Sequence, residues 1–140
     1  MTAIFSGDLG GMDPGEANER LRGFVAAVAT GSASEGAEMI GHIKANFRTG
    51  GQMLSVSTTS LEGKTTLKSE FDSAVDGFTG VMNALVYGIP AEAVAMAISD
   101  AARDSGVFDD LSLKAETGCD DPACKDPDCA EHGKKPLLPL

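Results

Sequence analysis

All three cysteines of this 140-residue chain, Cys119, Cys124 and Cys129, fall within eleven residues, and His132 lies three positions further on. The 118 residues before them contain no cysteine, so whatever they fold into must be held by its own apolar core. Three thiols cannot all pair within one chain, and cysteines gathered this tightly suit ligands better than staples. The first residues, Met1-Thr2-Ala3-Ile4-Phe5-Ser6, do not read as a signal peptide. Nor does any run approach the roughly 18 apolar residues of a membrane span. A reducing, cytoplasmic setting is the expectation.

The core must be assembled from a restricted set. There is no Trp and one Tyr, leaving Ala, Val, Ile, Leu, Met and six Phe, a palette that favours helices. The pattern along the chain predicts an α+β fold, mainly helical, in the order α-α-β-β-α-α. Residues 1–12, Gly-rich and aperiodic, read as a flexible N-terminal arm. Residues 13–112 form the domain, and residues 113–140 an irregular tail.

Within the domain, Asp13 offers a carboxylate to free amides, Pro14 suits a first helical position and Glu16 can reach back. Ala17, Leu21, Phe24, Val25 and Val28 then recur on one face, with Gly31 as the expected stop. A second helix is predicted from Ser34. Its apolar stripe is Met39, Ile40, Ile43 and Phe47, its last turn carries Lys44 and Arg48, and Gly50-Gly51 ends it. Residues 52–58 partly alternate, and Leu61-Glu62-Gly63-Lys64 supplies turn chemistry before 65–68, which predicts a β-hairpin. From Ser69 the 4-3-4-3 spacing of Phe71, Val75, Phe78, Met82 and Leu85 predicts a central helix that Gly88 stops. Pro90 opens a fourth helix with Val94, Ala95, Ile98, Ala101 and Ala102 on its packing face, ending near Gly106.

The tail carries the sharpest chemical signal. Three thiolates and an imidazole make a complete tetrahedral set for Zn²⁺, so Cys119, Cys124, Cys129 and His132 are the candidate metal ligands. Asp121-Pro122-Ala123-Cys124 and Asp126-Pro127-Asp128-Cys129 repeat one unit, and each proline restricts its own φ and its predecessor. That stiffening reduces the entropy lost on wrapping an ion. An iron–sulfur cluster or another transition metal remains an alternative occupant. The final Lys134-Lys135-Pro136-Leu137-Leu138-Pro139-Leu140 can adopt polyproline II and dock in an apolar groove, on its own domain or on a partner.

Other motifs carry less. Gly63-Lys64-Thr65-Thr66 lacks the first glycine of a phosphate-binding loop, the position being Thr58. His42 has no nucleophile placed beside it, and the hydroxyls from Ser55 to Ser60 read as ribbon and turn chemistry. The formal charge of −10, with −7 of it on residues 13–112, disfavours nucleic acid and anionic membrane surfaces. The expected role is a non-enzymatic protein-interaction or accessory subunit whose tail is ordered by a structural metal ion, with a protein partner and homo-oligomerisation both compatible. A metal-handling accessory protein and a metal-dependent enzyme are the alternatives.

Overall fold

The computed structural model of the chain describes residues 1–114. Its order is β1 (Thr2–Met12), α1 (Pro14–Ser34), β2 (Met39–Thr49), β3 (Gln52–Thr58), β4 (Thr66–Ser69), β5 (Val75–Tyr87), α2 (Ala91–Ser105) and β6 (Phe108–Lys114). The strands form one sheet in the spatial order β4-β3-β2-β5-β1-β6, antiparallel at every junction. It follows that β1 and β2 run parallel with β5 between them, and β5 and β6 run parallel with β1 between them. Each helix bridges one such pair, so two split β-α-β units interleave, and the β3–β4 hairpin widens the sheet beyond β2.

Both helices cover the same face. Along β1, β2, β3 and β5 the buried side chains Ala3, Phe5, Ile43, Ala45, Phe47, Leu54, Val56, Phe78 and Met82 alternate with outward ones, as a sheet solvated on one side requires. Leu21, Phe24, Val25 and Val28 of α1 and Val94 and Ile98 of α2 close the core from above. Phe24 stands at its centre, 5.8 Å from Phe5, 6.3 Å from Phe47 and 4.5 Å from Phe108 between ring centroids. Gly80 makes this possible, because a Cβ there would collide with the Phe5 ring and the Asn46 carbonyl oxygen.

Where helices form, their ends explain them. The Asp13 carboxylate accepts from the amides of Gly15 and Glu16, 3.0 and 3.3 Å away, and Pro14 follows at the first position. α1 runs past Gly31, which faces Ala97 of α2, and ends at Ser34. α2 ends at Gly106, in the left-handed conformation with φ 73°.

The expectation of a mainly helical chain is overturned: the sheet dominates. Residues 2–12, expected as an arm, are an inner strand paired on both sides, by β5 and β6. The helix expected from Ser34 is β2. Its stripe of Ile40, Ile43 and Phe47 imitates helical spacing because a bulge at Gly41 inserts one residue between Ile40 and Ile43, while 43 to 47 is an even strand step. The helix expected from Ser69 is β5, whose buried Val75 and Phe78 stand three apart at the end where its pairing with β1 shifts by two residues between Asp8 and Met12. Residues expected at the start of the irregular tail, through Lys114, are the end of β6, with Leu111 and Leu113 in the core.

Candidate interaction surface

The sheet face away from the helices is uncovered among the described residues, and the strand register orders its side chains into cross-strand rows. One row runs Met53, Arg48, Thr79, Ser6, Asp110. The next runs Lys68, Ser55, Asn46, Val81, Ile4, Ser112, and the third Thr66, Ser57, Lys44, Asn83, Thr2, Lys114. Beyond them lies an apolar end where Leu85 faces His42 and Tyr87 faces Met39, with Gly41 lying beneath Leu85 and Tyr87. Neighbouring members of a row stand about 5 Å apart and successive rows about 7 Å apart.

Charge is divided between the two sides. The described residues hold fifteen acidic and eight basic side chains. Four of the bases have partners: Arg20 donates to the Ser105 carbonyl at 2.9 Å, Arg22 pairs with Glu19, Lys64 with Glu62 and Arg103 with Asp100. The other four, Lys44, Arg48, Lys68 and Lys114, lie on the open face and form no ion pair among the described residues. Lys68 and Lys114 are on edge strands, where a cation also guards against edge-to-edge pairing. That account does not extend to Lys44 and Arg48 on the inner strand β2. Near them, Asn46 accepts from the Ser55 hydroxyl at 2.7 Å, and Ser6 lies 3.5 Å from Asp110.

Among the described residues, four of the five large hydrophobic side chains left exposed, Ile4, Met39, Leu85 and Tyr87, are also on this face. Arg48, Asn46, Ile4, Val81, Thr79 and Asp110 line a shallow depression of about 670 Å³ at its middle. Charged side chains here stand beside solvated apolar ones. No family model, curated protein or solved structure matches this chain. The face is therefore read on its own chemistry.

The metal ligands expected from the sequence, Cys119, Cys124, Cys129 and His132, lie outside the described residues, as does the Pro136–Leu140 segment. Among the described residues no three His, Cys, Asp or Glu side chains come together as a metal site. His42 is exposed on β2 beside the bulge, not on a helix. Gly63-Lys64-Thr65-Thr66 leads into β4 rather than a helix, and the Lys64 carbonyl accepts from the Thr58 hydroxyl at 2.6 Å, which is turn chemistry. No described helix is long and apolar enough to cross a membrane.

Sequence reasoning gave Lys44 and Arg48 to the end of a helix and so missed the surface. The signal was the alternation Lys44, Asn46, Arg48 against Ile43, Ala45, Phe47, a strand period masked by the bulge just before it.

Proposed function

We propose that this chain is a non-enzymatic interaction or accessory module whose open sheet face binds an acidic protein segment carrying apolar anchors. The observation that carries this reading is the coincidence on one face, among the described residues, of all four cations without an ion pair and four of the five exposed large hydrophobic residues. Carboxylates over Lys44 and Arg48 would gain charge-assisted hydrogen bonds, and apolar side chains over Ile4, Val81 and Leu85 would remove their surface from water. Nucleic acid fits less well, since the middle of the face offers Ile4 and Val81 where base stacking needs aromatic rings, and the described domain is net acidic. The Cys119, Cys124, Cys129 and His132 set belongs to the same reading as a structural Zn²⁺ site that gives the tail a shape, in a reducing cytoplasmic setting.

A labelled twelve-residue peptide of mixed Glu, Asp and Leu is the probe, titrated by fluorescence anisotropy into the full chain. The K44E/R48E double variant should bind it at least ten-fold more weakly than wild type, and added salt should weaken the wild-type complex. R103E, which reverses a helix-side cation, should leave the affinity unchanged. Equal affinities for wild type and K44E/R48E would overturn the reading.

A further inference from the structure

From the same face we infer that its resident occupant is the chain's own segment 115–140, which lies across the sheet and competes with an outside partner. The inference rests on the reading of the open face as a binding surface. It is carried by where β6 ends, by charge and by length.

β6 ends at Lys114, opposite Thr2, in the row next to the apolar end of the face. Only β1 separates β6 from β5, so the chain leaves the sheet two strand spacings from Asn83, about 12 Å from Leu85 and about 17 Å from Tyr87. Charge then matches. Residues 116–131 hold six carboxylates, Glu116, Asp120, Asp121, Asp126, Asp128 and Glu131, against one cation, Lys125. The rows facing them hold Lys44, Arg48, Lys68 and Lys114 against Asp110. A second copy of this chain would instead set that excess of cations against itself.

Length is sufficient as well. With Cys119, Cys124, Cys129 and His132 drawn around one ion, the reach is set by the five-residue step from Lys114 to Cys119, which spans up to about 17 Å, more than the three strand spacings, about 14 Å, between Lys114 and Lys44. The carboxylates carried between the ligands can then meet the Lys44 and Arg48 strip, and residues 133–140 are long enough to bring Leu137, Leu138 and Leu140 to the uncovered Met39, Leu85 and Tyr87. A tethered segment meets the face at an effective concentration near the millimolar range, so it weakens outside binding without abolishing it.

Carbodiimide coupling of the full chain at low micromolar concentration tests this, because it joins a lysine amine to a carboxylate only when the two are in contact. Peptide mapping should find Lys44 or Lys68 joined to carboxylates of 116–131. In an equal mixture of ¹⁴N and ¹⁵N protein, each joined pair should carry a single isotope. D120N/D121N/D126N/D128N, made in the full chain, should lose those links and bind the Glu/Asp/Leu probe three- to ten-fold more tightly than wild type. Three results would overturn the inference: no such links, mixed-isotope pairs, which would make the occupant a second copy, or unchanged probe affinity in the tail variant. Any of these, with K44E/R48E still losing the probe, removes the tail as occupant and leaves the binding face standing. Equal probe affinities for wild type and K44E/R48E would remove both.

Discussion

The two faces of this sheet are made from the same strands, residue by residue in alternation, yet they obey different rules. On the helix side Phe5, Phe47 and Phe78 meet Phe24 and Phe108 in a continuous ring cluster, and the buried side chains of all the long strands join one core. On the other side Ile4 and Val81 form one cross-strand pair, Asn83 separates Val81 from Leu85, and cations without an ion pair among the described residues flank them. The first face decides whether the chain folds. The second contributes little to that and is free to be selected for what it touches.

The comparison breaks most readily at the core. Phe24→Ala removes the ring that contacts Phe5, Phe47 and Phe108 and leaves a cavity under α1, so it should cost about 3–5 kcal/mol in unfolding free energy. Urea titration followed by circular dichroism reads this directly. A loss below about 1 kcal/mol would mean that the helix face is not the structural one.

Smaller effects sharpen the picture. Asp13→Ala removes the acceptor for two orphan amides of α1 and should destabilise by about 1 kcal/mol, with Asp13→Asn retaining most of the stability. Ser99→Ala should run the other way. The Ser99 hydroxyl is 1% exposed on α2 and has no hydrogen-bond partner among the described residues, so deleting it is expected to be neutral or to stabilise by up to about 1 kcal/mol. Thermal melts of both variants against wild type check the two signs together.

The elements legible in the sequence were those specified by their own ends. Asp13-Pro14 fixed the start of α1, Pro90 and Gly106 bracketed α2, and the alternation of residues 52–58 with the turn at Gly63 marked β3 and β4. What misled was irregularity inside strands. Gly41 shifts the β2 register by one residue and the Gly10-Gly11 stretch shifts the β1 register by two, and the spacings of buried residues beside them in β2 and β5 pass for helical ones. Gly77 and Gly80, together with Val75, Thr79, Val81 and Val86, were the available counter-signal, because paired glycines and β-branched residues suit a helix interior poorly. The open face could not be read at all before the strand order was known. Lys44 and Arg48 come to share one face with Lys68 and Lys114 only when β4 and β6 take opposite edges of one sheet.

The smallest stability effect is expected where the interaction reading asks most. Leu85 is 42% exposed at the apolar end of the open face, opposite His42 and over Gly41, and Leu85→Thr keeps a residue suited to a strand while removing apolar surface. Unfolding free energy should change by no more than about 0.5 kcal/mol, the usual range for a surface substitution. Binding of the acidic, leucine-containing probe should nevertheless weaken several-fold, since burying a few methyl and methylene groups accounts for about 1–2 kcal/mol. If Leu85→Thr instead destabilises as much as a core truncation, the apolar end of this face belongs to the fold rather than to a partner. The division between a structural side and a binding side would then have to be redrawn around β5.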